Sequence, residues 1–405
     1  MFDTDWTAAG EDALPDLVNL RRAIHADPEI GLDCPRTTAR LKQALEGLPL
    51  ELHKGPSTSG FVAVLRGAHN GRTVLLRGDM DALPMHEDTG LPFASAVPGR
   101  MHACGHDAHS AMLVGAARAL SARRGELAGT VVFMFQPGEE GYHGARHMID
   151  DGLLSVAPAD AAFALHISPN IPAGQVVGRA GTLMASTDTL HATIRGAGGH
   201  AAMPHECIDP IPVACEIVMA LQTYVARRVP VGDPAVLSIT KIDAGSAHNI
   251  VPDTVELLGT LRTLSEPTRA KTREAFVRIA TSIAAAHDCT ADVSIEPGYP
   301  VTVNDARAVD LVRDCARALG NETGRAGGAG WAEMPAPMMG AEDFSYVLQQ
   351  VPGAMSFIGV AHDGTDPATN PPLHNTRMTI DEDVMARGVA LHCAVAQRFL
   401  DTGLG

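Results

Sequence analysis

From residue 61 to residue 167, short apolar runs alternate with stretches of helical period, and that alternation limits the folds open to the chain. Residues 61–66 (Phe-Val-Ala-Val-Leu-Arg), 73–77, 129–135 and 159–167 have strand length and character. Residues 17–25, 36–46, 108–120 and 142–150 read as helices, and in 108–120 Met112, Leu113, Ala116 and Leu120 share one face. Strands separated by helices pair as parallel neighbours, because the crossover returns each strand in the same direction. The pattern predicts an α/β domain with a helix-covered, mostly parallel sheet.

The texture changes near Gly178. Residues 184–195 alternate like a half-exposed strand, and Asp209-Pro210 supplies an N-cap and first-turn proline for a helix to about 226. Ala214, Ile217, Val218, Leu221 and Val225 form its inward face. Strands at 235–243, 253–263 and 291–296 and a helix at 266–287 complete two helices on a four-stranded, largely antiparallel sheet. After Pro297-Gly298 the chain returns to helix, a strand at 354–360 and a final helix at 381–400. The expected organisation is a discontinuous catalytic domain, residues 1–178 and 297–405, interrupted by an inserted α+β lid or dimerisation domain at 179–296. No internal repeat is present.

With 405 residues, 45% of them hydrophobic, the chain can bury a core of this size, and two domains fit the length better than one. The formal net charge of −16 argues against nucleic acid or an anionic membrane as a partner. No stretch approaches the roughly 18 apolar residues of a membrane span. The acidic start, Met-Phe-Asp-Thr-Asp-Trp, lacks the basic and apolar regions of a signal peptide. Seven cysteines without a Cys-x-x-Cys pair suit reduced thiols, so a cytoplasmic location is expected.

Polar residues cluster just beyond the apolar strands. Strand 73–77 leads into Gly78-Asp79-Met80-Asp81, strand 129–135 into Gln136-Pro137-Gly138-Glu139-Glu140, and the strand at 159–165 into His166. In an open parallel sheet the carboxyl ends of the strands share one edge, where ligands bind. The loop Met101-His102-Ala103-Cys104-Gly105-His106-Asp107-Ala108-His109 adds a thiol and imidazoles before a helix. Each piece alone has an ordinary explanation as surface or core. Together, Cys, His and Glu are metal-ligand chemistry: thiolate and imidazole favour zinc, and carboxylates admit manganese. Of two adjacent glutamates, one can hold a metal while the other stays free as general base.

The blocks Arg-Gly-Asp-Met-Asp-Ala-Leu-Pro (77–84), Met-His-Ala-Cys-Gly-His-Asp (101–107) and Gln-Pro-Gly-Glu-Glu (136–140) resemble the aminoacylase, hippurate hydrolase and auxin-conjugate amidohydrolase family of dinuclear metallopeptidases. N-acetyldiaminopimelate deacetylases belong to the same branch. Further blocks match in order: Ala-Leu-His (164–166), Gly-Gly-His-Ala-Ala-Met-Pro-His (198–205), His-Asn-Ile-Val-Pro-Asp (248–253), Tyr-Pro-Val-Thr-Val-Asn-Asp (299–305), Gly-Ala-Glu-Asp-Phe (340–344) and Leu-His-Asn (373–375). The resemblance implies two divalent ions per chain, zinc first, with manganese, nickel or cobalt as alternatives. The implied ligands are Cys104, as the bridge, His106, Glu140, His166 and His374. It implies Glu139 as general base and acid, and Asp81 as the residue that orients a ligating histidine. It also implies His200 as a lid residue polarising the scissile carbonyl and Asn249 as a holder of the substrate carboxylate. Asp27-Pro28-Glu29-Ile30-Gly31 stands where relatives write a His-Pro-Glu-Leu-Gly type segment, and His86 where they carry Gln or Glu. Both departures concern substrate fit.

The activity so implied is metal-dependent hydrolysis of N-acyl amino acids to a carboxylic acid and a free amino acid. A homodimer through the lid is the expected assembly, with a tetramer as the alternative. A metallo-carbamoylase or dipeptidase uses the same machinery. A metal-free thiol hydrolase, with Cys104 as nucleophile and His106 or His109 as base, and a non-catalytic metal-binding protein are the rival classes.

Overall fold

The computed structural model describes residues 5–320 and 330–405; the first four residues of the acidic N-terminal stretch lie outside them. The chain divides into two compact units. One comprises the chain through Leu183 together with Val303–Ala336 and Asp343–Gly405; the other is Met184–Thr302 with Pro337–Glu342.

The first unit is built on an eight-stranded sheet. Its order across is Glu51–Lys54, Phe61–Arg66, Ala128–Gln136, His69–Asp79, Ala161–Ser168, Gly353–Gly359, Val176–Gly178 and Trp331–Glu333. The four strands from Ala128–Gln136 to Gly353–Gly359 are mutually parallel, as the alternation with helices predicts. Phe61–Arg66 pairs antiparallel to Ala128–Gln136, and Val176–Gly178 antiparallel to Gly353–Gly359. The central strands are buried along almost their whole length, which is why they read as continuous apolar runs. In register, Asp79 lies opposite Gln136, and His166 opposite Phe357, so the polar residues that end these strands meet at one sheet edge.

Three helices, Asp5–His25, His106–Ala122 and Val384–Thr402, pack together on the sheet. They approach so closely at Gly115 that a Cβ there would lie 2.5 Å from Val389 Cγ2 and 2.8 Å from Leu17 Cδ1. The first helix begins twelve residues before the stretch that reads as helical, and Pro15 lies inside it. Its buried positions, Trp6, Gly10, Leu17, Arg21, Ile24 and His25, do have helical spacing. Glycine and arginine at two of them hide the period from an apolar count. His106–Ala122 is buried nearly all round, including Asp107, His109 and Ser110, rather than on the single face its apolar residues suggest.

The second unit is the α+β arrangement expected. Its sheet runs Ala235–Ala244, Thr254–Thr263, Ser186–Arg195, Thr290–Pro297, all antiparallel. Strict alternation in Ser186–Arg195 and Thr254–Thr263 puts Leu190, Ala192, Ile194, Val255, Leu257 and Leu261 into a core shared with helices Pro210–Arg228 and Glu266–Ala286. Asp209 caps the first helix by accepting from Ile211 N at 2.9 Å, and Ser265 caps the second through Thr268 N at 3.2 Å. Asp188 faces the same core but is compensated by Arg269, at 3.1 and 2.7 Å, and by Arg273.

A buried ion network ties the first helix to the helix at 106–122. Asp107 Oδ2 accepts from Arg21 Nε at 2.8 Å and from His25 Nδ1 at 2.7 Å, while His25 Nε2 reaches Glu87 at 3.2 Å. Burial alone lowers the His25 pKa, but the Asp107 charge and hydrogen bond, with Glu87, raise it to about 9 against Arg21. A folded-state pKa above the unfolded value stabilises the fold fully below about pH 6.5, and that stability drains away as pH rises toward 9. The shift corresponds to about 3 kcal/mol. Urea midpoints at pH 6.5 and pH 9 check this: wild type should lose stability across the interval and His25→Gln much less. A wild-type midpoint that falls no faster than the variant's excludes a charged His25.

Candidate metal centre

The loop 101–105 is held so that its side chains turn inward. Gly105 takes a left-handed conformation (φ 85°) as the N-cap of His106–Ala122, and a Cβ there would lie 2.3 Å from Ile167 Cγ1. Glycine therefore lets Cys104 and His106, on either side of it, approach the end of strand Ala161–Ser168. Cys104 Sγ lies 3.4 Å from His166 Nε2. His166 Nδ1 is 2.7 Å from Ile167 O, which can only accept, so the Nδ1 proton is spent there and Nε2 presents its lone pair to Cys104.

Ligand atoms of Cys104, His106 and His166 lie within 4.8 Å of one another, and so do those of Cys104, Glu140 and His374. A third such group is His106, Glu139 and Glu140. Cys104 belongs to two groups at once, the arrangement a bridging donor needs. His374 Nε2 stands 3.2 Å from Glu140 Oε1, and the His374 amide donates to Ala103 O at 2.8 Å, pinning its loop to the cysteine loop. His374 holds φ 64°, an uncommon conformation for a non-glycine residue and one that collects at functional sites.

Asp81 is buried and clamps the two glutamates through their main chain. Its Oδ1 accepts from Glu139 N and its Oδ2 from Glu140 N, both at 3.0 Å. Oδ1 also lies 3.4 Å from His106 Nδ1. Neither His106 nitrogen makes a well-formed hydrogen bond; its other nitrogen is 3.6 Å from Asp79. A fully buried ring with a nitrogen left unsatisfied, and a carboxylate beside the other, suits a metal-ligating position.

Burial opposes charge throughout the site. It pushes the Cys104 thiol up, with His106 opposing, and holds His166 well below the ordinary histidine value. At His106 burial is the largest influence and acts downward, but Asp79, Cys104 and the Asp81 contact together outweigh it and raise the ring well above the ordinary value. His374 is raised to about 10 by its hydrogen bonds to Cys104 and Glu140. Buried thiol, imidazole and carboxylate with mutually perturbed protonation are suited to a divalent cation, which would satisfy all of them.

The remaining histidines divide. His109 has both nitrogens committed, Nδ1 to Asp79 at 2.6 Å and Nε2 to Ile167 N at 2.9 Å, and so supports the site. His102 is buried with no hydrogen-bond partner, and burial lowers it to about 3. His205 and His248 are exposed.

His200 and Asn249 lie in the second unit, both exposed. The structure brings them together: His200 pairs with Ile250 in a two-residue antiparallel ladder, and Ala201 N donates to Asn249 O at 3.1 Å. His200 Nδ1 accepts from Ala202 N at 3.1 Å, so the neutral ring carries its proton on Nε2.

Sequence reasoning puts Asp79 and Gln136 at the sheet edge but does not join them to Arg77 and Asp343 in the buried polar layer behind the centre. Arg77 donates to Gln136 Oε1 at 2.9 Å and Asp343 Oδ1 at 3.1 Å, and pairs with Asp79 at 2.6 Å. The signal was available, since an arginine closing an apolar strand must find buried partners.

Comparison with known proteins identifies the family of the chain. The model of "Peptidase family M20/M25/M40" matches residues 75–398. The N-acetylcysteine deacetylase of Bacillus subtilis is 36% identical over 95% of this chain and 97% of its own length. The IAA-amino acid hydrolase ILR1-like 2 of Arabidopsis thaliana is 36% identical over 95% and 85%. The crystal structure of the Bacillus subtilis YXEP protein, a dinuclear metal-binding peptidase of the M20 family, superposes with a TM-score of 0.82 at 33% identity, covering 96% of this chain and 99% of that one. Among the described residues no helix is long and apolar enough to cross a membrane. Dinuclear metal binding is typical of the family, and the chain belongs to peptidase family M20/M25/M40 as one of its metallohydrolases.

Proposed function

We propose that the chain hydrolyses the amide bond of N-acyl amino acids, releasing a carboxylic acid and a free amino acid. The observation that carries the reading is the Glu139–Glu140 pair, held by one Asp81 carboxylate beside the Cys104, His106, His166 and His374 donors. The deacetylase and amino-acid hydrolase relatives support the substrate class. Cys104, His106, Glu140, His166 and His374 would hold two divalent ions, with Cys104 the donor common to both donor groups. Bound divalent metal, zinc before manganese, nickel or cobalt, supplies Lewis acidity and brings a water's pKa from roughly 15.7 toward about 7. Glu139 accepts the water proton and returns it to the leaving amine. His200 donates from Nε2 to the developing oxyanion, where an oriented donor has its largest effect. Asn249 receives the free α-carboxylate. The enzyme works in the cytoplasm as a homodimer through its second unit.

A substrate panel tests this reading. Purified, metal-loaded protein should cleave N-acetyl, N-benzoyl or longer N-acyl amino acids and reject the same compounds with the carboxylate amidated. A site built to pair a polar group leaves its own groups unpaired when that group is masked. His200→Ala should lower kcat and kcat/KM together, and Asn249→Ala should mainly raise KM for free acids. Equal cleavage of acid and amide by the wild type excludes the carboxylate clamp. Preference for a dipeptide or an N-carbamoyl amino acid in the same panel replaces the N-acyl assignment. The peptidase description of the Bacillus subtilis structure is why dipeptides belong there.

A further inference from the structure

Asp79 is fully buried at the end of the strand that leads into Asp81, and its carboxylate faces the histidines of the site. Its Oδ1 accepts from His109 Nδ1 at 2.6 Å, and its Oδ2 pairs with Arg77 at 2.6 Å and stands 3.6 Å from His106 Nε2. The His109 tautomer follows from its other contact. Ile167 N can only donate, so His109 Nε2 is the acceptor and the ring proton sits on Nδ1, facing Asp79. Ile167 is the residue after His166, and its carbonyl takes the His166 Nδ1 proton. The His109 ring also packs against both of the others, with centroids 5.5 Å from His106 and 4.5 Å from His166.

We propose that Asp79 is a positioning residue for the metal centre, setting His166 through His109, whose ring packs against both imidazoles beside Cys104. This inference rests on the ligand set proposed above. Two features separate it from an ordinary buried ion pair. Arg77 is itself held by Gln136 and Asp343, so Asp79 is fixed from behind and its other oxygen is left for His109. Gly78 brings strand and helix together at this point: a Cβ there would lie 2.9 Å from His109 O. Without that close approach, the 2.6 Å bond from Asp79 to His109 could not form. Ligand atoms must sit within a few tenths of an ångström of their ideal distances, so a ring free to swing loses affinity even when every ligand is present.

The test measures metal affinity rather than turnover. Stripped wild type and the variants Asp79→Asn, His109→Phe, His109→Gln and Cys104→Ser are titrated with zinc against a competing chelator, with folding of each stripped protein checked by circular dichroism. Asp79→Asn and His109→Phe should bind roughly 10–100-fold more weakly, the usual effect of removing a partner of a ligating histidine. His109→Gln can place an amide oxygen where Nε2 accepted from Ile167, and should recover a large part of the loss. The 15N spectrum of the wild type should show His109 protonated on Nδ1. Folded Asp79→Asn and His109→Phe proteins with wild-type affinity overturn the inference, and so does a His109 protonated on Nε2. In that event, loss of metal by Cys104→Ser leaves the ligand set standing. If Cys104→Ser also binds as tightly as wild type, the ligand reading itself fails and the inference falls with it. Should Asp79→Asn not fold, the contrast between His109→Phe and His109→Gln decides.

Discussion

Glu139→Gln lowers kcat by roughly 10²–10⁴, the usual contribution of a general acid–base group, while the protein keeps its metal. Glu140→Gln instead sheds metal at modest chelator concentrations and recovers much of its turnover when metal is in excess. The two side chains are adjacent, but their surroundings differ. Glu140 groups with Cys104 and His374, two further metal-type donors, and its carboxylate lies 3.2 Å from His374 Nε2. Glu139 is buried and belongs to no group with both Cys104 and a histidine. Because Asp81 holds the main-chain N–H of both residues, exchanging either side chain for its amide leaves the clamp intact. The comparison therefore reads the side chains and not a collapsed loop. Metal content by elemental analysis and kcat at saturating metal separate the outcomes. Two variants with the same metal titration would show that the division between base and ligand is wrong.

Much of this centre is legible in the amino-acid sequence, and the reason is topological. Apolar strands separated by helices run parallel, so the residues just beyond each strand gather at one edge. That logic alone joins Asp79, Gln136 and His166. It carries less far where direction is not encoded: nothing in Phe61–Arg66 distinguishes an antiparallel strand from the parallel ones beside it. The strands Glu51–Lys54, Val176–Gly178 and Trp331–Glu333 are too short to show a period. His374 is another limit. Leu-His-Asn is unremarkable as a tripeptide, so residue chemistry alone does not find it; the family resemblance implies His374, and the structure sets its ring 3.2 Å from Glu140 with its amide bonded to Ala103 and a left-handed φ. The buried layer of Arg77, Gln136 and Asp343 escapes a search for ligands because Asp343 reaches the other two across more than 200 residues of sequence. His200 and Asn249 sit 49 positions apart, and only the two-residue ladder makes them neighbours.

Cys104→Ser takes metal content well below the wild-type level, expected near two ions per chain, and lowers turnover by at least roughly 100-fold. The serine keeps the size of the side chain and removes the one donor that belongs to both the His106–His166 group and the Glu140–His374 group. A neutral hydroxyl is a poor replacement for a thiolate toward zinc, so on the proposed assignment both ions would lose a ligand through one substitution. Cys207→Ser, in the second unit and partly exposed, should leave metal content and turnover at wild-type values. The same pair of variants also judges the thiol-hydrolase reading. There Cys104 is a nucleophile, and the base assigned to it cannot be His109, whose two nitrogens are committed to Asp79 and Ile167. A nucleophile variant would lose its chemistry and retain its ions, and the wild type would survive exhaustive chelation. Elemental analysis of Cys104→Ser after gentle purification distinguishes the two readings in one measurement. Low metal with low turnover fits a shared ligand, whereas full metal with no turnover makes Cys104 the attacking group and removes it from the ligand set.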